Sequence, residues 1–501
     1  KEYWDVFYKY PSAQGGFIWD WLDQGIAVEN SAGEQCYTYG GDFGNEPHDK
    51  NFNINGLVFP NRSPSPGLKE YKYVMAPFKF KDFDFKEGSI CLENKYDFVD
   101  SSNYRLQWEL KSAGLLIESG SQEFKAAAGE EKEFKVKGLE LNELETLIEE
   151  KVREIDNNLS ADSYLNFRIV LARDTVWAKA GHEIAFKQFK LPFVFDRLYH
   201  PSHKNLKKKE LLLKESDLYL KVEGSNFSIY FDKADGNLSE YIYREKTIIE
   251  DGPEFSFWRA PIDNDNTEIT RNYSSEWKEA GIDKFSSRLD ELKAVDVEEN
   301  FALIKSRYTI APPAKDLIIK AEIDYRIYND GKVEIKAMGE FKDSQKHSLP
   351  RISLDLKLDS DLDYLSWFGR GPGESYPDSK RASYVDLFSK KVNELHTPYV
   401  YPQDNGVRSE LKWLQLKNRV GAGIEFFNSD PFSFSAHHYS KKDLELAEHD
   451  CELPQRDGIY LELIHRDRGL GSTSCGPEQL EKYELKVEDF EFEITFKGLD
   501  Y

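Results

Sequence analysis

The chain has 501 residues, of which 40% are hydrophobic and 14% aromatic, and a formal net charge of −23. This composition is typical of a globular protein of about three domains and excludes a disordered chain. The negative charge argues against a nucleic-acid partner, and no apolar run approaches the ~20 residues of a membrane span.

The first 75 residues are predicted to form one unit. Four aromatic residues recur at helical spacing: Tyr3, Trp4, Phe7 and Tyr8. They predict a helix over residues 1–10, and because the chain opens inside this helix we expect it to be a fragment of a longer protein. Residues 15–21 are an apolar run that ends in polar residues, which predicts a buried parallel strand; helix then strand is the repeating unit of an α/β barrel. A shorter helical pattern covers residues 68–74.

The rest of the chain is predicted to be mainly β. Residues 78–83 and 104–110 alternate apolar and polar side chains, which is typical of antiparallel strands in an immunoglobulin-like sandwich, with residues 140–155 as a charged insertion that could be helical. Similar strand patterns, such as residues 227–231, continue to the last residues and predict a large β-sandwich or a pair of them. The predicted divisions are a barrel end at 1–75, an immunoglobulin-like sandwich at 76–195, a basic linker at 196–214 and a large β-sandwich at 215–501.

Four cysteines are widely spaced along the chain: Cys36, Cys91, Cys451 and Cys475. Their spacing matches neither a zinc-binding module nor a dense disulfide framework, so we expect mostly free thiols. The pattern leaves the compartment open between the cytoplasm and the periplasm.

Two polar segments near the start of the chain carry candidate binding chemistry. Trp19 and Trp21 alternate with acidic residues and could form a platform for a sugar ring. The two carboxylates of a glycosidase normally face the substrate from different strands, so we expect Asp20 and Asp23 instead to bind loop amides or an arginine. Asn55 offers an amide that can donate to and accept from sugar hydroxyls or bind a hard cation, and this chemistry leaves open a purely structural loop.

Seven segments together carry a family resemblance: residues 15–24, 39–44, 55–59, 259–265, 367–378, 397–406 and 469–477. In order and spacing they resemble the C-terminal half of the long β-galactosidases of glycoside hydrolase family 2. The first three segments are similar to the end of the catalytic TIM barrel. The last four are similar to the C-terminal sandwich, which resembles the β-galactosidase small chain and galactose mutarotases. Shorter members such as β-glucuronidases lack this last domain, which favours the β-galactosidase branch.

The resemblance implies a role for four residues. Trp19 would form the floor under the galactose, and Asn55 would contact its 6-hydroxyl and help to hold a sodium ion. The main-chain oxygen of Phe52 would be another sodium ligand, and the ring of Phe52 would move as substrate settles. Cys475 would lie on a loop at the mouth of the site, where some members have a tryptophan that stacks on the aglycone.

The resemblance also implies what this chain lacks. The family hydrolyses terminal β-D-galactosides such as lactose with retention, using one glutamate as nucleophile and another as acid/base. Neither glutamate motif nor the magnesium ligands occur in these 501 residues, so we expect no catalytic residue here and no activity from the chain alone. The expected partners are a galactoside, the N-terminal half of the enzyme and, when intact, further copies in a homo-oligomer. The alternative is a non-catalytic carbohydrate-binding or structural β-sandwich module. A third, less favoured hypothesis is a separate subunit that complements an N-terminal chain.

Overall fold

A computed structural model describes residues 2–155, 162–192, 211–267, 271–298, 300–342 and 348–500. The chain divides into two compact units. The smaller comprises residues 1–17, 67–206 and 384–387, and the larger comprises residues 18–66, 207–383 and 388–501. Residues 196–210 of the predicted linker lie outside the described residues, and the predicted domain boundaries remain predictions.

The smaller unit is a β-sandwich of two antiparallel sheets. One sheet has the strand order Phe78–Asp84, Ser89–Asn94, Glu131–Lys135, and the other has the order Leu115–Gln122, Tyr104–Ser112, Ser163–Leu171, Glu183–Lys190. Apolar side chains alternate along these strands and face one core, where Leu106, Leu110 and Phe167 are fully buried. The predicted sandwich is confirmed.

Five α-helices lie in the described ranges: Glu2–Lys9, Pro66–Met75, Leu141–Ile155, Tyr273–Ala280 and Lys441–Leu446. The first three confirm the helices predicted at residues 1–10, 68–74 and 140–155. None of the helices described is long and apolar enough to cross a membrane.

The larger unit contains a long antiparallel sheet that folds over a single hydrophobic core. Along the sheet, paired neighbours follow the order Leu212–Glu215, Tyr219–Glu223, Phe227–Asp232, Leu238–Tyr243, Lys246–Ser256, Arg351–Leu358, Ile459–Asp467, Gly423–His437, Phe490–Leu499, Val333–Lys342, Ile318–Tyr328, Phe301–Ala311 and Ser286–Val297. The strand Arg408–Lys417 pairs with Gly423–His437 and with Tyr364–Gly371. The strand Tyr384–Lys391 is divided between the two units, and its residues 388–391 belong to the larger one.

The strand Gly423–His437 joins the two halves of this sheet. Residues 423–427 pair with Phe490–Leu499, whereas residues 433–437 pair with Ile459–Asp467. One bent strand therefore belongs to both layers, which is how a continuous sheet can close over its own core. A two-stranded hairpin, Ile26–Glu29 with Gln35–Thr38, lies in the same unit.

The prediction of a buried strand at residues 15–21 is wrong for this structure. These residues form no strand, and Phe17, Trp19 and Trp21 are 105%, 80% and 62% exposed. A barrel strand is buried only when neighbouring parallel strands pair with it and helices cover its outer face. One helix–strand unit supplies neither, so its apolar side chains stay exposed.

The prediction of mostly free thiols is also wrong for one pair. Cys36 and Cys451 form a disulfide across 415 residues of sequence, whereas Cys91 and Cys475 are free. Spacing rules detect cysteines that pair within a small module, and they carry no information on a partner so distant in sequence.

Candidate functional site

Two short segments run side by side and position Trp19 and Asn55. The amide of Asp20 donates to the carbonyl of Asn55 at 3.1 Å, and the amide of Leu57 donates back to Asp20 at 3.0 Å. This alternation is the hydrogen-bond pattern of a parallel pair, although neither segment is a continuous strand, and it places the exposed indole of Trp19 one residue from the contact with Asn55. The peptide bond between Trp19 and Asp20 is cis.

Gly56 allows the two segments to approach so closely. A Cβ at this position would lie 2.1 Å from the amide nitrogen of Asp23. The Gly56 amide in turn donates to Oδ1 of Asp23 at 2.6 Å. Only glycine fits here without displacing the neighbouring backbone.

Of the two polar atoms in the Asn55 side chain, one has a hydrogen-bond partner among the described residues and the other has none. Its Nδ2 donates to the main-chain oxygen of Phe52 at 2.9 Å. Its Oδ1 is buried and has no donor among the described residues. A buried amide oxygen without a partner is costly unless a ligand, an ion or water completes it. The donor set of Asn55 Oδ1 and Phe52 O, both hard neutral oxygens, fits an alkali or alkaline-earth cation or a sugar hydroxyl.

The two carboxylates near Trp19 bind backbone amides, as expected. Asp20 accepts from the amide of Trp21 and, at 2.9 Å, from Nε2 of Gln24. Asp23 is buried, and burial raises the pKa of its carboxyl to about 6 although the hydrogen bond from Gly56 acts in the opposite direction. Both carboxylates therefore stabilise the backbone around residues 20–24 and 56.

A 3₁₀ turn at Asp263–Asp265 connects the Asn55 segment to the loop that carries Cys475. Oδ1 of Asp263 accepts from Nδ2 of Asn51 at 2.8 Å. Oδ1 of the next residue, Asn264, accepts from the backbone amide and the hydroxyl of Ser474 at 3.0 and 2.8 Å. Two adjacent side chains thus hold both predicted binding segments.

The loop over residues 469–477 has further anchors. The carboxylate of Asp378 accepts from the amides of Leu470 and Gly471, each at 2.8 Å. Asn264 donates through Nδ2 to the carbonyl of Gly471 at 3.0 Å. Cys475 itself is exposed, and the described residues give it no bond to Trp19, Phe52 or Asn55.

A cluster of polar and aromatic groups fixes the loop that contains Tyr39 and Asp42. The imidazole of His449 stacks on the ring of Tyr39 with centroids 4.8 Å apart, and its Nε2 lies 2.8 Å from Oδ2 of Asp42. The hydroxyl of Tyr39 donates to the carbonyl of Glu448 at 2.7 Å. Burial opposes charging of His449, but hydrogen bonds to Asp42 and Glu452 raise the pKa of the imidazole overall.

Beneath the 259–265 and 469–477 segments lies a buried network of charges. Arg351 is fully buried and pairs with Asp404 through both terminal nitrogens, at 3.0 and 2.7 Å, and with Asp467 at 2.9 Å. Arg259, also fully buried, contacts Asp467 at 3.3 Å and Asp265 at 3.1 Å. The shared carboxylate of Asp467 thus links the 3₁₀ turn to the core of the sandwich.

The structure brings some predicted site residues together and leaves others apart. Trp19, Phe52 and Asn55 lie on two adjoining segments, and the loop of Cys475 is connected to them through the turn at Asp263 and Asn264. Sequence reasoning missed four positioning residues: Asp42, Asn264, Asp378 and His449. Asp42, Asn264 and Asp378 lie inside recognised motifs, and that membership was the available signal. His449 lies outside them, 407 residues from Asp42, and no local pattern pairs the two residues.

The class of protein follows from family models, which identify parts of a glycoside hydrolase along the chain. The model "Glycosyl hydrolases family 2, TIM barrel domain" matches residues 1–80, and "Beta-galactosidase, domain 4" matches residues 90–192. "Beta galactosidase small chain" matches residues 223–496, more than half of the chain. The chain belongs to this β-galactosidase family, and the resemblance inferred from its motifs is confirmed.

Curated relatives are about twice as long as this chain. A β-galactosidase from Pseudoalteromonas haloplanktis is 30% identical over 99% of this chain and 47% of its own length. One from Priestia megaterium is 30% identical over 94% of this chain and 43% of its own length. The chain therefore spans about half the length of the curated relatives it matches. A solved galactose 1-epimerase from Lactobacillus acidophilus NCFM covers 58% of this chain and 98% of that chain at a TM-score of 0.32 and 10% identity, which does not establish a shared fold.

Proposed function

We propose that this chain is the C-terminal part of a retaining β-galactosidase that hydrolyses terminal β-D-galactosides such as lactose. In this proposal the chain contributes galactose and sodium contacts, and both catalytic glutamates lie outside it. The observation that carries the proposal is the buried, unpartnered Oδ1 of Asn55 beside the exposed indole of Trp19. An apolar ring face next to a hydrogen-bonding amide is the combination that a pyranose requires.

The proposed sodium ligands are Asn55 Oδ1 and the main-chain oxygen of Phe52. Their support is that one is an orphaned buried acceptor and that the other lies on the same short turn, fixed by the hydrogen bond from Asn55 Nδ2. A sodium ion bound there would attract a substrate hydroxyl. Magnesium would belong to the part of the enzyme that carries the catalytic glutamates.

The exposure of the Phe52 side chain is consistent with a ring that moves when substrate binds. It is 54% exposed, and no ring contact holds it among the described residues. Cys475 would lie at the mouth on its anchored loop, where it offers a small thiol instead of an aromatic surface for the aglycone.

The proposed partner is the N-terminal half of the enzyme. Its support in the larger unit is the exposure of Ile18, Trp19 and Trp21, and in the smaller unit that of Tyr8 and Phe17. Burial of such side chains yields roughly 25 cal/mol for each Å² removed from water, so their exposure favours a missing partner surface. We further propose that the intact enzyme is a homo-oligomer.

Activity and binding assays on the 501-residue chain test the proposal. We expect no turnover of a nitrophenyl β-D-galactoside, and weak galactose binding that Na⁺ strengthens relative to K⁺. Trp19→Ala and Asn55→Ala should each abolish this binding. Trp177→Ala is the matched control, because its indole is 61% exposed in the other unit. Turnover by the chain alone would contradict the placement of the catalytic glutamates outside it.

The alternative is a non-catalytic carbohydrate-binding or structural module. Exposed aromatic rings on the large sandwich, away from the barrel-derived segment, favour it. The same variants separate the two functions: if galactoside binding survives both Trp19→Ala and Asn55→Ala, the module is favoured.

A further inference from the structure

A polar cleft of about 660 Å³ opens at one end of the large sandwich. Several loops converge there: residues 360–364 before one strand, the 3₁₀ turn Val392–Glu394, the turn at residues 418–420 and the loop that contains Gln455. This volume is typical of sites that hold a small organic ligand of more than one ring. The lining comes from loops anchored on neighbouring strands of one sheet, so it is preformed.

The groups that line the cleft suit a ligand rich in hydroxyls. In the described part of the chain, the side chains of Asn393, Arg419 and Gln455 have no hydrogen-bonding partner, so their amide and guanidinium groups are available. Asp361 and Asp363 supply carboxylate oxygens that accept. A sugar hydroxyl both donates and accepts, and it is bound best where donors and acceptors alternate.

Tyr364 supplies an aromatic surface in the same cleft. The residue is 37% exposed, and Nζ of Lys391 lies 5.0 Å from the centroid of its ring. This cation–π contact favours one orientation of the ring. A ring that is fixed before binding loses little conformational entropy when a pyranose stacks on it.

Both carboxylates that line the cleft have a basic neighbour. The carboxylate of Asp361 lies 3.1 Å from Nζ of Lys246, and that of Asp363 lies 3.4 Å from Nζ of Lys391 and 3.6 Å from Nε2 of His438. Paired carboxylates are poor ligands for a divalent cation, and they repel phosphate groups. The lining therefore argues against a divalent cation, and the guanidinium of Arg419, which has no partner in the described part of the chain, is left to donate to ligand oxygens.

From this lining we propose that the cleft at Tyr364 binds a neutral oligosaccharide, with the ring of Tyr364 stacking on one sugar unit and Asn393, Arg419 and Gln455 hydrogen-bonding to hydroxyls. The site is separate in sequence from Trp19, Phe52 and Asn55, and its binding does not require galactosidase activity. It would hold the enzyme on a glycan chain or retain a long substrate.

Titration of the 501-residue chain tests this site. Isothermal calorimetry and ligand-observed saturation-transfer NMR would use β-1,4-mannotetraose, cellotetraose and maltotetraose as probes, because none of them carries the terminal galactose that the proposed Trp19 site would bind. We expect at least one to bind, Tyr364→Ala to weaken that binding about tenfold or more, and Asn393→Ala to weaken it less. Trp19→Ala should leave it unchanged, so failure of the proposed galactose contacts and failure of this site give different results.

The matched control is Tyr219→Ala. Tyr219 is 40% exposed on the same unit and lines another cleft, so its loss should not change the affinity. Thermal unfolding of each variant would show that Tyr364→Ala remains folded. The proposal is overturned if none of the three sugars binds at about 10 mM, if Tyr364→Ala binds as wild type does, or if calcium alone binds and Asp361→Asn abolishes it.

Discussion

His449 and Asp42 form an ion pair across 407 residues of sequence, with Nε2 of the imidazole 2.8 Å from Oδ2 of the carboxylate. This contact, the stacked ring of Tyr39 and the Cys36–Cys451 disulfide fix the loop that leads to Phe52 and Asn55. The loop belongs to the barrel-derived part of the sequence, but the groups that hold it come from the large sandwich.

The His449 pair predicts a pH-dependent stability. Because folding raises the pKa of this imidazole, the protonated ring stabilises the folded state. That contribution should be fully present below the unfolded pKa of about 6.5 and be lost as pH rises through the higher folded pKa. His449→Gln should therefore lower the unfolding temperature at low pH, by the equivalent of about 0.5–1 kcal/mol, and have less effect at higher pH. Thermal unfolding from about pH 5.5 to 8.5 measures this, with His182→Gln as control; an effect that does not change with pH would contradict it.

Removal of the disulfide should destabilise the larger unit. The Cys36→Ser, Cys451→Ser double variant is expected to lose about 2–4 kcal/mol of unfolding free energy, because its unfolded chain is no longer cross-linked. Chemical denaturation of the oxidised protein measures the loss, and Cys91→Ser is the control because that thiol is free. Titration of four reactive thiols in the native protein, where we expect two, would refute the pairing.

Gly56 should tolerate no side chain. In Gly56→Ala the new Cβ would lie 2.1 Å from the Asp23 amide, so the two parallel segments must separate at a cost of about 2–4 kcal/mol. Hydrogen exchange at residues 20–23 and 55–58 should accelerate. Gly373→Ala is the control, since a Cβ there meets no atom within 4 Å; equal effects of the two variants would argue against this packing.

The buried guanidinium of Arg351 should be indispensable for stability. Arg351→Met leaves the carboxylates of Asp404 and Asp467 without that partner in the core, at an expected cost of about 3–5 kcal/mol. Arg288→Met removes an ion pair of similar length from a side chain that is 74% exposed, and should change stability by less than about 1 kcal/mol. Urea denaturation distinguishes the two variants. A loss of unfolding free energy in Arg351→Met as small as that in Arg288→Met would mean that the network is not structurally required.

Loss of the Asn264 side chain should loosen the Cys475 loop without unfolding the sandwich. Asn264→Ala removes the acceptor of two hydrogen bonds from Ser474, so amide exchange over residues 470–477 should accelerate about tenfold. Asn393→Ala, which removes an exposed amide that has no partner among the described residues, should leave exchange there unchanged. An unchanged loop in Asn264→Ala would show that the remaining bonds, which include those to Asp378 and the one from Thr473 to the Asn264 carbonyl, are sufficient to hold it.

Periodicity predicted most of the fold. Alternation located the strands at residues 78–83, 104–110 and 227–231, and helical spacing located the helix at Glu2–Lys9. The strand at residues 15–21 was wrong because burial depends on neighbouring strands as well as on the segment itself. Local sequence was sufficient to group Phe52 with Asn55, three residues away.

The remainder of the site depends on contacts between distant residues. The pairing of Cys36 with Cys451 and that of Asn51 with Asp263 bridge hundreds of residues, and no periodic pattern encodes such partners. The motif around Asp263 was recognised from its resemblance, but its position between two binding segments became visible only in three dimensions. The galactose and sodium contacts of Trp19, Phe52, Asn55 and Cys475 stay predictions.

The contact between Tyr39 and Glu448 sets an order of events during biosynthesis. Ribosomes add about 5–20 residues per second, so the 409 residues between these two positions take roughly 20–80 s to synthesise. For most of that interval the segment that carries Trp19, Phe52 and Asn55 has been synthesised but lacks the carbonyl of Glu448, the imidazole of His449 and the thiol of Cys451 that later hold its loop. The exposed tryptophans of the nascent chain would be available to chaperones for most of this time.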